Sequence, residues 1–140
     1  MRAPAEHETE RLRLRLFRES DLDAYAAMMA DPEVCRYLGD GKPLDRANAW
    51  RSMAVMLGHW QLRGYGFWAL APHAWGKGYA TEVGRAALQV AFAQGAQKVC
   101  SVILPDNQRS IRVAQRLGET FERTVHLVGH DCALYTISSR

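Results

Sequence analysis

Two glycines one residue apart, Gly76 and Gly78, stand directly before an apolar helical pattern that runs from Tyr79 to Gln94. This junction, His73-Ala74-Trp75-Gly76-Lys77-Gly78-Tyr79-Ala80-Thr81-Glu82, constrains the fold more than any other stretch. Glycine lets the backbone turn sharply and lets a ligand approach closely. The helix behind it supplies unpaired N–H groups and the positive end of its dipole. Together they suit a phosphate or pyrophosphate. No Walker G-x-x-x-x-G-K-[S/T] string occurs, and a dinucleotide G-x-G-x-x-G is also absent, because Thr81, followed by Glu82 and Val83, stands where its last glycine would be. The plainer alternative is a helix entry with two turn glycines.

The length of 140 residues predicts a single domain, 1–140, with a core of its own. A net charge of +3 suits an anionic cofactor and is too small to argue for nucleic acid. Cys35, Cys100 and Cys132 are odd in number and widely spaced, so neither a metal site nor a disulfide framework is expected. Cys100 and Cys132 sit in apolar runs and read as core residues. Residues Met1 to Glu8 lack a signal-peptide apolar core, and no apolar run reaches membrane-span length. A cytoplasmic setting without membrane contact is the expectation.

Alternation predicts a strand over Arg11 to Phe17, where Arg11, Arg13 and Arg15 interleave with leucines. Ser20-Asp21-Leu22-Asp23 reads as a capping box opening a helix with Leu22, Tyr25, Ala26 and Met29 on one face. Asp31 and Pro32 start a short helical turn. A longer helix follows from Asp45, with Trp50, Met53, Leu57 and Trp60 near one face, and Gly64-Tyr65-Gly66 breaks it. Phe67 to Leu70 is a short strand candidate. Tyr79 to Gln94 is a helix stopped by Gly95, with Val83, Ala87, Val90 and Ala91 on its apolar face. Lys98 to Leu104 reads as a buried strand. Asn107 opens a helix ending near Gly118, and Thr120–Val128 and Cys132–Ser138 form a final strand pair around Gly129-His130-Asp131. This order argues an α/β or α+β class with an open sheet.

Gly78-Tyr79-Ala80 resembles the second half of Q/R-x-x-G-x-G/A, the acetyl-CoA pyrophosphate loop of the GNAT acetyltransferases. Trp75 to Glu82 looks most like the RimJ/RimL branch, which acetylates ribosomal-protein N-termini; Trp75 stands where the general motif has Gln or Arg. Thr9 to Arg15, Asp31-Pro32-Glu33-Val34 and Asn107 to Gly118 resemble that branch's first strand, first helix break and N-x-x-S helix. The resemblance implies an open mixed sheet with helices on both faces. It also exposes a gap. Such domains carry a central two-strand segment before the pyrophosphate loop, whereas here Phe67-Trp68-Ala69-Leu70 leads directly into Ala71-Pro72-His73. The central sheet is therefore expected to be shortened between Leu70 and Ala71 or nearby.

By the same resemblance, Trp75, Gly76, Lys77, Gly78, Tyr79 and Ala80 bind the pyrophosphate, mostly through backbone N–H groups. Asn107 touches the pantetheine arm or the acceptor, and Ser110 protonates the leaving thiolate. Asn107 also fits as a helix cap with Ser110 completing it. Arg109, Arg112 and Arg116 fit either a rim for the 3′-phosphate or a solvated helix face. Glu33 is a weak candidate for the base. The implied activity is transfer of acetyl from acetyl-CoA to a primary amine, a small molecule or a protein N-terminus, with no metal. The alternative is a catalytically impaired CoA-binding or protein-binding remnant. A shortened sheet also favours a homodimer.

Overall fold

The computed structural model describes residues 2–70 and 78–140. The chain divides into two compact units, Met1–Lys77 and Gly78–Arg140.

The first unit opens with a small antiparallel hairpin. Strand β1 (Glu6–Glu8) pairs with β2 (Arg13–Arg15), Glu6 opposite Arg15 and His7 opposite Leu14. β2 is shorter than the expected Arg11–Phe17 strand. Upstream, the Leu12 N–H donates to the Thr9 hydroxyl oxygen at 3.0 Å and closes a turn. Downstream, the Asp21 carboxylate accepts from the Arg18 N–H at 2.8 Å and starts a 3-10 turn over Glu19–Asp21. Arg18, not Ser20, is therefore the residue at the head of this turn. Leu14, central in β2, is fully buried. The free side of β2 meets the chain again at Ala69, whose N–H donates to the Arg15 carbonyl at 2.7 Å. Of the expected Phe67–Leu70 strand, the described residues form this one bridge.

Helix α1 (Leu22–Met29) buries Ala26. In α2 (Pro32–Cys35), Asp31 caps the start by accepting from the Glu33 N–H, and Pro32 fills the first position. Helix α3 (Arg46–Arg63) is capped by Asp45, which accepts from the Asn48 N–H at 2.7 Å, and is ended by Gly64 at φ 75. Its buried stripe is Ala49, Met53 and Trp60. Trp50 was expected near this face but is half exposed, because it sits about 100° round the helix from Ala49. The Trp60 indole N–H donates to the Phe67 carbonyl at 2.7 Å and fixes the return of the chain.

The second unit is a three-stranded antiparallel sheet with two helices. Its order is β3 (Lys98–Ile103), β5 (His130–Ser138), β4 (Thr120–Leu127). Ile103, Ala133 and Tyr135 from one sheet face pack with Ile111 and Ala114 of α5 (Gln108–Arg116). Central strand β5 buries four consecutive residues, Cys132 to Tyr135, as expected of a strand flanked on both edges. Cys100 is exposed, against expectation: β3 turns Val99, Ser101 and Ile103 to one side and Cys100 to the other. β5 begins earlier than expected, at His130, because Val128 and Gly129 at φ 50 and 77 make a two-residue turn with both centres left-handed. Helix α4 (Tyr79–Ala93) ends before Gly95 at φ 89. It buries Thr81, Ala86 and Leu88, while the expected Val83, Ala87, Val90 and Ala91 are half-buried. The α/β class and the element order follow the sequence expectation, with the strands divided between two small sheets.

Candidate functional site

Gly78 caps α4 in the left-handed region, φ 77 and ψ 8. A side chain there would be strained, and glycine offers none to satisfy the first-turn N–H groups. Gly78 and Ala80 are exposed and Tyr79 is half-buried. Glu82, whose N–H donates to the Gly78 carbonyl at 3.2 Å, closes the first turn. The N-terminus of a 15-residue helix whose cap residue is a glycine with no side chain is the kind of place that accepts an anion. Trp75, Gly76 and Lys77, the remainder of the expected pyrophosphate loop, lie outside the described residues.

Asn107 and Ser110 are brought together at the start of α5. The Asn107 side-chain oxygen accepts from the Ser110 backbone N–H at 3.2 Å. This is the capping arrangement, and it uses the Ser110 backbone, not its hydroxyl. Half-buried Ser110 keeps that hydroxyl without a hydrogen bond among the described residues. The cap thus makes no use of the Ser110 hydroxyl. Helices α4 and α5 meet in the same unit: at Gly84 an added Cβ would lie 2.5 Å from Leu117 Cδ1, so glycine permits the close approach.

The remaining residues lie on several elements. Arg109, Arg112 and Arg116 are exposed along α5. Glu33 is exposed in α2, in the first unit. His126 faces Asp131 at 2.8 Å across the exposed β4–β5 hairpin. No group of metal-ligating side chains occurs among the described residues, and no helix among them is long and apolar enough to cross a membrane.

Sequence reasoning missed Glu119. It lies between Gly118 and β4, 4% exposed. Its Oε1 accepts from the Ser101 hydroxyl at 3.0 Å, and its Oε2 is buried without a hydrogen-bond partner among the described residues. Burial holds its pKa above the ordinary glutamate value, against the smaller lowering by Ser101. The available signal was an acidic residue placed where the chain returns from a helix to the sheet.

Comparison with known proteins places these features in context. The 37% identity to the Bacillus subtilis (strain 168) protein YkkB extends over 62 residues, 44% of this chain and 36% of that protein. The chain thus aligns with about a third of that curated relative. An acetyltransferase from Agrobacterium tumefaciens str. C58 superposes with a TM-score of 0.80 at 25% identity, covering 98% of this chain and 96% of that one. RimL, the ribosomal L7/L12 α-N-protein acetyltransferase solved with coenzyme A, shares the fold at a TM-score of 0.75 and 18% identity, covering 97% of each chain. The model of the acetyltransferase (GNAT) domain matches residues 11–71 and 66–120, which include Gly78 to Ala80, Asn107 and Ser110. With the helix-start glycine, the Asn107 cap and the fold all in agreement, the chain belongs to the GNAT acetyltransferase family.

Proposed function

We propose that this protein transfers an acetyl group from acetyl-CoA to a primary amine, with a protein N-terminus as the favoured acceptor. The observation that carries the reading is the left-handed Gly78 at the start of α4, within a family match that spans it. Gly78, Tyr79 and Ala80, together with Trp75, Gly76 and Lys77, hold the pyrophosphate through backbone N–H groups. Asn107 contacts the pantetheine arm or the acceptor. The N-terminal acceptor rests on the RimJ/RimL resemblance of Trp75–Glu82 and on the shared fold with RimL. Matched stretches on both units support reading 1–140 as one acetyltransferase domain.

The reaction is direct. The neutral amine nitrogen attacks the thioester carbonyl, a C–N bond forms and the C–S bond breaks. The Ser110 hydroxyl gives its proton to the departing thiolate, and the ammonium proton passes through water back to the Ser110 oxygen, which restores the hydroxyl. Proximity and oriented donors supply most of the acceleration.

A second reading has an observation of its own. The two family-matched stretches share residues 66–71, as expected if one short segment does duty for two ends of a longer one. A shortened central sheet would leave a CoA-binding remnant with impaired transfer. One experiment separates the two: thiol release from acetyl-CoA with a panel of peptide N-termini and small amines, beside calorimetric CoA binding. Binding with amine-dependent thiol release supports the transferase. Binding without release supports the remnant, and absence of binding overturns both.

A further inference from the structure

Glu119 is a buried acid that the acyl-transfer reading does not use. Gly118 at φ 88 turns the chain out of α5, and the Glu119 N–H donates back to the Ala114 carbonyl at 3.0 Å. The carboxyl is therefore tied by its backbone to the end of α5 and by Ser101 to the middle of β3. Ser101 lies opposite Tyr135 and between Val99 and Ile103, on the face that carries the apolar core.

Charged groups on the surrounding elements do not neutralise it. Lys98 on β3 is engaged with Glu122 of β4, and Arg123 also lies beside Glu122. Arg85 of α4 and Arg112 and Arg116 of α5 are exposed, and no ion pair joins any of them to Glu119. On β5, Asp131 faces His126 at the far hairpin. Among the described residues, burial and the Ser101 hydroxyl act on the Glu119 carboxyl, burial the more strongly. A neutral carboxylic acid here hides one polar O–H. An ionised one hides a full charge, which costs far more.

We propose that Glu119 is a proton-dependent latch: as a neutral acid it closes the end of α5 onto β3, and loss of its proton to solvent loosens that seam. The linkage has one sign. A carboxyl whose proton is held more tightly in the folded than in the unfolded state adds stability that is complete at low pH. That stability is lost as pH rises through the folded-state value. The depressed carboxyls Glu6, Asp21 and Glu122 act with the opposite sign, on the acid side.

The test compares wild type with Glu119→Gln, an uncharged near-isostere, by urea unfolding midpoint against pH, and follows the Glu119 side-chain carboxyl carbon of the wild type by ¹³C NMR. Wild type is expected to lose midpoint as pH rises above the ordinary glutamate value of about 4.3. Glu119→Gln is expected to lose markedly less over the same window. The wild-type resonance should titrate above that value, and Ser101→Ala should move it higher still, because the hydroxyl stabilises the ionised form. A Glu119 resonance titrating at or below about 4.3 overturns the latch, as does an equal pH slope in the two proteins. If Glu119→Gln does not fold, the wild-type resonance alone decides. These readouts stand apart from acetyl transfer.

Discussion

The Arg15–Asp21 pair joins the end of a sheet strand to the start of a helix. Two guanidinium nitrogens meet the two carboxylate oxygens at 2.7 and 2.8 Å, a bidentate geometry. The Arg15 hydrogen bond, then the Arg18 backbone N–H, holds the Asp21 carboxyl below its ordinary value. A depressed carboxyl gives stability that is present above the unfolded-state value, about 3.9 for Asp, and is lost as pH falls through the folded-state value. Asp21→Asn is expected to lower the urea midpoint at neutral pH and to flatten its decline on the acid side; an unchanged acid limb would remove the pair from the stability account. At the candidate site, two substitutions divide capping from chemistry. Asn107→Ala removes the acceptor for the Ser110 N–H and should cost about 1 kcal/mol. Ser110→Ala leaves that bond in place, so it should unfold at nearly the wild-type midpoint while turnover drops by roughly 10²-fold. Normal turnover of folded Ser110→Ala would end its catalytic assignment.

Helix α4 has a left-handed glycine at each end, Gly78 at φ 77 and Gly95 at φ 89. The two provide a matched comparison. Either glycine replaced by alanine should cost roughly 1–2 kcal/mol in backbone strain, and an added Cβ at Gly95 meets nothing within 4 Å. Of the two, Gly78 stands at the N-terminus. Gly78→Ala is therefore expected to weaken CoA binding by about tenfold or more, near 1.4 kcal/mol, and Gly95→Ala to leave it unchanged. Equal CoA affinities by calorimetry would detach the pyrophosphate from this helix start. The element boundaries follow a common physical rule. Where a side chain satisfies a helix end locally, as Asp31, Asp45 and Asn107 do, the sequence shows the boundary. Where the boundary comes from a neighbouring chain, as at β2 and Ala69, it does not.

For the whole molecule, the question is whether the segment around Phe67–Leu70 stands in for a longer one. Phe67 is 72% exposed and Leu70 40% exposed, and Leu62 at the end of α3 is 84% exposed. Apolar side chains left open in this way are expected to favour association. Sedimentation should then find dimers at micromolar concentration. Inserting a two-strand hairpin from a related GNAT domain after Leu70 should shift the protein toward monomer and raise both thermal stability and acetyl transfer. A monomeric wild type with brisk turnover that the insertion does not improve would mean that the short form is complete.

The sequence by itself determined the features whose causes are local. Glycines mark where helices stop, Asp and Asn mark where they start, and apolar runs mark β3 and β5. Together with the Gly78-Tyr79-Ala80 and Asn107–Ser110 patterns, these make the family legible. Tertiary structure decided which face of each element is inside. Cys100 is exposed and Ser101 turned inward by the pairing of β3 with β5, and Trp50 was displaced from the α3 core by one position. It also decided the state of Glu119. Ionisation depends on how much water and which partners surround a carboxyl, and those surroundings come from Ser101, Ala114 and the closed end of α5, residues that only folding brings together.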